Sequence, residues 1–147
     1  MNGFVVVDAS LAFKWLVSEE NSDLAQALSG SWANDGIQTS APYLMPVEVA
    51  NALHRRVARG ELTISDAVRL LEHLLASGIE LRDEQDLIVR ALRLASNLQP
   101  GAGYDALYLS PAETPHCEYW TADERFYRAA FPVAQNLHWI GEFGVPE

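Results

Sequence analysis

The sequence predicts an α/β fold, a three-layer α/β/α sandwich around a five-stranded, mostly parallel sheet, and three observations lead there. Short apolar runs recur along the chain and alternate with segments whose apolar residues repeat at helical spacing. The runs, Phe4-Val5-Val6-Val7 first among them, are continuously apolar and rich in β-branched residues, the pattern of strands buried on both faces. Acidic residues stand where strands should end or helices begin: Asp8, Glu48, Asp105 and Asp123. With 147 residues, 49% of them hydrophobic, there is apolar material for one continuous core, so residues 1–147 are expected to form a single domain.

Phe4 to Val7 reads as the first strand, and Asp8-Ala9-Ser10 hands over to a helix through Leu11, Phe13, Leu16 and Val17. Glu19-Glu20-Asn21-Ser22 is a capping-type entry to a second helix, in which Leu24, Ala25, Ala27, Leu28 and Trp32 keep helical spacing until Asn34-Asp35-Gly36 stops it. Ile37 to Ala41 is the second strand. Pro42 and Pro46 bracket a turn, after which Val47 to Val57 is helical, with Val49, Ala50, Leu53 and Val57 on its apolar face and Gly60 at its end. Thr63-Ile64-Ser65-Asp66 opens a helix that runs through Leu75, with Leu70, Leu71, Leu74 and Leu75 apolar and Gly78 closing it.

Ile79-Glu80-Leu81 is the third strand, and Asp83 caps a helix from Glu84 to Leu98 whose buried stripe is Leu87, Ala91, Leu94, Ala95 and Leu98. A loop at residues 99–103 precedes a short helix from Tyr104 to Leu109. His116 to Trp120 reads as the fourth strand, Glu124 to Ala130 as a short helix and Asn136 to Ile140 as the fifth strand. The crossovers between parallel strands should be right-handed.

Twenty acidic against ten basic residues give a formal charge of −10, which opposes long-range attraction of a polyanion. The basic residues are unevenly spread, however: Lys14 follows Asp8, Arg55, Arg56 and Arg59 follow Glu48, and Arg125 and Arg128 follow Asp123. The single cysteine, Cys117, excludes an internal disulfide framework. No apolar run approaches the roughly 18 to 20 residues of a membrane span, and no basic stretch followed by an apolar one opens the chain. A cytoplasmic protein without membrane attachment is expected. His54, His73, His116 and His138 are scattered, and His116-Cys117 has no second paired motif, so the zinc-site pattern is absent.

Carboxylates gathered at one sheet edge require a counter-charge, and hard oxygen donors suit Mg²⁺, with Mn²⁺ as a substitute. Each acid alone has a plainer role: Asp8 as a helix cap, and Glu48, Asp105 and Asp123 as first-turn acids worth under about 1 kcal/mol at exposed helix ends. Ser10 and Thr121 place hydroxyls two positions from Asp8 and Asp123, where they either cap or support a site. Asn51, three residues after Glu48, shares its helical face. An Asn on an otherwise apolar side needs partners, which points to a site role. Phe13, Trp15, Trp32, Trp120, Phe126 and Trp139 stand at apolar spacings, as core or interface residues do.

Taken in order, Val6-Val7-Asp8-Ala9-Ser10, Pro46-Val47-Glu48-Val49-Ala50-Asn51-Ala52-Leu53, Tyr104-Asp105-Ala106-Leu107-Tyr108-Leu109 and Thr121-Ala122-Asp123-Glu124-Arg125-Phe126 resemble the four signatures of PIN-domain nucleases. The match is best to the VapC-type toxin ribonucleases of bacterial toxin–antitoxin modules, and it spans nearly the whole chain. That resemblance implies a sheet of order 3-2-1-4-5, with Asp8 and Asp123 facing each other where the strand order reverses. It further implies Asp8, Glu48, Asp105 and Asp123 as catalytic metal ligands for Mg²⁺, with Ser10, Asn51 and Thr121 in support. The activity implied is metal-dependent hydrolysis of RNA phosphodiester bonds. A homodimer and a cognate antitoxin are the implied partners. Lys14, Arg55, Arg59 and Arg125 are then candidates for RNA contact, set against the ordinary explanation of a solvated charged face.

The chain departs from the family after Asp105. Ser110-Pro111-Ala112-Glu113-Thr114-Pro115 stands where relatives continue a helix, and proline inside a helix costs roughly 3 kcal/mol. A catalytically impaired interaction protein on the same fold therefore stays open. A phosphoacceptor receiver-like domain is a further alternative, although Asp8 lacks a paired acid and Lys14 is the only lysine. A dehalogenase-like phosphatase would need Asp-x-Asp where Asp8-Ala9-Ser10 offers serine.

Overall fold

The computed structural model of the chain describes residues 3–83, 85–97, 103–109, 117–132, 134 and 136–143, the side chains of residues 103–105 excepted. Its strands are β1 (Phe4–Val7), β2 (Gln38–Pro42), β3 (Glu80–Arg82), β4 (Glu118–Thr121) and β5 (Leu137–Trp139). Its helices are α1 (Ala9–Leu16), α2 (Ser22–Asn34), α3 (Leu44–Ala58), α4 (Ile64–Leu75), α5 (Gln85–Ala95), α6 (Gly103–Leu109) and α7 (Glu124–Ala130), with a 3-10 turn at Ile140–Glu142. The sheet has the order β3-β2-β1-β4-β5 and every pairing is parallel. The expected α/β/α architecture and strand order are present.

β1 is the centre of the sheet, which is why Val5, Val6 and Val7 can be apolar without alternation: a helical layer covers each face, and all three are buried. Successive residues of β4 mark the two layers. Tyr119 meets Tyr108 of α6 and Phe126 of α7, while Trp120 points the other way to Trp32 of α2. α1 packs against α2, α3 and α4, and α5 against α6.

Local chemistry explains most element ends. Thr63 caps α4 by accepting from the Asp66 N–H, and Gly60 and Gly78, with φ of +76° and +91°, take the left-handed conformation after α3 and α4. The expected turn between Pro42 and Pro46 shrinks to Tyr43, because α3 already starts at Leu44. Pro46 is accommodated there since first-turn N–H groups have no helical partner to lose. α5 ends at Ala95 and not at Leu98, which lies outside the described residues, as do Pro111 and Pro115.

The buried stripe of α4 is also narrower than the sequence suggests. Ala67 and Leu74 are buried, whereas Leu75 is exposed together with Ile64 and Val68. On α5, Leu87 and Ala91 face inward while Ile88, Val89 and Leu92 face outward. Among the described residues no helix is long and apolar enough to cross a membrane.

Candidate active site

Asp8 follows β1 directly and caps α1, its Oδ1 accepting the Leu11 N–H at 3.1 Å and the Ser10 hydroxyl at 2.6 Å. Its Oδ2 accepts the Tyr119 hydroxyl at 3.1 Å and the Thr121 hydroxyl at 2.5 Å. A carboxylate offers about four acceptor positions, so this buried group is saturated. Burial pushes its pKa up, and the bonds from Ser10, Thr121, Leu11 and Tyr119 pull against that rise.

Glu48 lies in the second turn of α3 and is half-buried. Its Oε1 accepts the hydroxyl of Tyr108, which reaches across from α6. Its pKa is raised too, first by desolvation, opposed by the Tyr108 bond, and further raised by the charge of Asp8. Tyr108 itself is held firmly in its protonated form by burial and by Glu48. The rings of Tyr108 and Tyr119 pack with centroids 5.9 Å apart at a tilt of 33°, so two touching tyrosines each hold one carboxylate. Neither was singled out from the sequence. Their apolar spacing reads as core, and the partners lie 60 and 111 residues away.

Asp123 follows β4 and caps α7, its Oδ1 accepting the Phe126 N–H at 3.0 Å. It is exposed, and it is tied to Asp8 through Thr121, whose Oγ1 accepts the Asp123 N–H at 3.0 Å while its hydroxyl binds Asp8. Ser10 completes the link: its Oγ accepts the Ala122 N–H at 3.0 Å and lies 3.3 Å from Thr121 Oγ1. Asp105 stands on α6, three residues before Tyr108, and its side chain lies outside the described residues.

Ser10, Glu48 and Asp123 line an open cleft of about 580 Å³. Its lining mixes acidic and polar groups, Ser10, Glu19, Glu48, Asn51 and Asp123, with the basic Lys14, Arg55, Arg56 and Arg59. Asn51 is exposed and lines the cleft, and is not interior. Glu19 ties two of these cations together, a role its capping-type sequence context does not reveal. Its carboxylate binds Lys14 Nζ at 3.0 Å and Arg56 Nη2 at 2.8 Å. Arg56 also reaches Glu61 at 3.2 Å and lies 5.3 Å over the Phe13 ring. Arg125 is exposed on α7 and is not part of the cleft wall.

The donor chemistry fits a hard divalent cation. The cleft offers oxygen donors at Glu48 and Asp123, and burial disfavours the charged forms of Asp8 and Glu48, a cost that a bound cation would offset. The described residues bring Asp8 and Glu48 into electrostatic contact and Asp123 to the same cleft. Among them, no three His, Cys, Asp or Glu side chains are grouped closely enough to hold an ion by themselves.

A family model described as the PIN domain matches residues 5–132. No curated protein sequence matches. Among solved structures, PAE2754 from Pyrobaculum aerophilum superposes with a TM-score of 0.66 at 21% identity, covering 96% of this chain and 93% of its own. A toxin–antitoxin complex from Klebsiella pneumoniae gives 0.65 at 14% identity, covering 91% and 95%. VapC20 of Mycobacterium tuberculosis, described as a sarcin–ricin loop cleaving toxin, gives 0.63 at 17% identity, covering 85% and 94%. At these identities the likeness is one of fold.

Proposed function

The chain belongs to the PIN domain family, and from that membership we propose that it is a Mg²⁺-dependent endoribonuclease, the toxin of a toxin–antitoxin pair working in the cytoplasm. The observation that carries the reading is one cleft lined both by Glu48, Asp123 and Ser10, the last bonded to Asp8, and by Lys14, Arg55, Arg56 and Arg59. A phosphodiester needs both sides: cations for its backbone and a carboxylate cluster for the reaction.

Asp8, Glu48, Asp105 and Asp123 would hold the ion. When bound, Mg²⁺ (or Mn²⁺) activates a water for in-line attack and offsets charge on the scissile phosphate. The chain's own residues prepare for this. Asp8 has no spare acceptor position, but a Ser10 hydroxyl turned from Oδ1 to Thr121 Oγ1, 3.3 Å away, would free one position on Oδ1, which keeps the Leu11 N–H. Tyr108 fixes the Glu48 carboxylate from behind. Glu19 holds Lys14 and Arg56 in ion pairs at the cleft, and Arg55 and Arg59 line it beside them.

The exposed aliphatic residues of α4 (Ile64, Val68, Leu75) and α5 (Ile88, Val89, Leu92) support protein partners, a second copy and an antitoxin. The toxin–antitoxin complex of similar fold supports the same reading.

The test is cleavage of single-stranded RNA by the purified chain with Mg²⁺. Chelation should abolish it, and Asp8→Asn or Asp105→Asn should lower it at least about 100-fold, roughly 3 kcal/mol of barrier, with an unchanged circular dichroism spectrum. Metal-dependent cleavage retained in both variants would reject the assignment.

A further inference from the structure

On the β5 side of the sheet edge, outside the cleft, three aromatic rings lie nearly parallel in a row. Tyr127 stacks on Phe131 with centroids 5.4 Å apart and planes at 22°, and on Trp139 at 6.4 Å and 27°. They border a second open cavity of about 420 Å³, with Arg128 and Glu142 at its edge. Phe131 is half exposed. The Trp139 indole lies so close to Gly141 that a Cβ there would come within 2.3 Å of the ring, so the residue's missing side chain is what lets the indole lie in place. The Tyr127 hydroxyl donates to Glu142 Oε1 at 2.9 Å, which fixes the middle ring.

We propose that Phe131, Tyr127 and Trp139 form a stacking subsite for an unpaired nucleobase of the RNA substrate. The inference rests on the ribonuclease reading and deepens it. Position is the first argument. Trp139 pairs in register with Thr121, the residue that binds Asp8, and the Tyr127 N–H donates to the Asp123 carbonyl one turn into α7. The shelf therefore begins roughly 6 Å along the helix from Asp123, within reach of a nucleotide flanking the cleft.

Chemistry is the second argument. The apolar surfaces of α4 and α5 are aliphatic, as suits a protein partner, whereas this one is built of near-parallel π-faces. Unpaired bases stack on such faces and offer their edges to hydrogen bonds, and Glu142, which accepts from Tyr127, and Arg128, which is ion-paired with Glu124 at 2.6 Å, stand at the rim. Stacking also needs no net positive charge, which suits a chain of formal charge −10.

The experiment uses the full chain carrying Asp8→Asn to prevent cleavage, and single-stranded RNA oligonucleotides with 2-aminopurine at successive positions. One position should be quenched on binding. Phe131→Ala should remove that quench and weaken binding about tenfold by fluorescence anisotropy. Phe131→Trp should restore both, and Gly141→Ala, which displaces the indole, should act like Phe131→Ala. An abasic nucleotide at the quenched position should erase the difference between Phe131→Ala and its parent.

Equal affinity of parent and Phe131→Ala with no quenched position overturns the subsite. So does a Phe131→Ala chain whose association state changes in sedimentation while its RNA affinity does not, since the shelf is then a protein contact. Absence of RNA binding overturns it as well. Mg²⁺-dependent cleavage by the unsubstituted chain is scored separately, so the subsite can fail while the ribonuclease stands.

Discussion

Asp8 and Asp123 follow the same local code and meet different fates. Each ends one of two neighbouring parallel strands, and each caps the next helix through the N–H three residues on, at 3.1 and 3.0 Å. Asp8 is nonetheless 7% exposed and surrounded by three hydroxyls, whereas Asp123 is exposed and linked to that network by its backbone alone. The difference comes from the sheet. β1 is the central strand, so its end is closed in by side chains from α1 and β4, while β4 opens toward α7 near the margin. Capping is written in a few adjacent residues, and burial is decided by which strands become neighbours.

Alanine at the two positions should separate these fates most strongly. Asp8→Ala leaves the Tyr119, Thr121 and Ser10 hydroxyls and the Leu11 N–H without their acceptor, a cost of about 3 kcal/mol in urea unfolding. Asp123→Ala loses a cap, about 1 kcal/mol. The comparison is made at one fixed pH with chelator present, since ionisation of the buried Asp8 costs the native state more as pH rises. Equal losses would mean that burial adds nothing to the capping role.

A smaller effect sharpens the contrast through pH. Burial holds the folded pKa of Asp8 above its ordinary 3.8, so the native chain takes up the proton more readily than the unfolded one. Stability from this group is fully present below pH 3.8 and is lost as pH rises through the raised folded value. Glu48 adds the same trend starting from 4.5. In chelator, the parent should therefore lose stability relative to Asp8→Asn as pH climbs from 4 toward neutrality, and Mg²⁺ should recover the loss. A parent-minus-variant difference that stays constant in urea titrations across that range would refute the linkage.

What could be read in the sequence divides along the same line. β1, its Asp8 and the cap of α1 were legible because strand, acid and helix are contiguous. Gly60 and Gly78 announced the ends of α3 and α4 for the same reason. The start of α3 was misplaced because proline reads as a breaker, yet Pro46 occupies a turn whose N–H groups are unpaired anyway. Glu19 and the two tyrosines were illegible, since each acts on a partner that only the fold brings near. Asn51 was read as interior from its helical face, but that face borders the open cleft.

The smallest expected effect probes the network around Asp8 bond by bond. All of its hydrogen bonds lower the Asp8 pKa, Thr121 more than Tyr119, so removing either hydroxyl should raise it further. If ionised Asp8 is needed for cleavage, the acidic limb of the pH–rate profile should move to higher pH in Thr121→Val and by less in Tyr119→Phe. Ser77→Ala, whose hydroxyl donates to the Leu74 carbonyl beyond the end of α4, should leave that limb in place. The order matters more than the size. A limb that moves equally in all three would show that the profile reports general destabilisation, and one that moves in none would show that the acid governing the rate is not the buried Asp8.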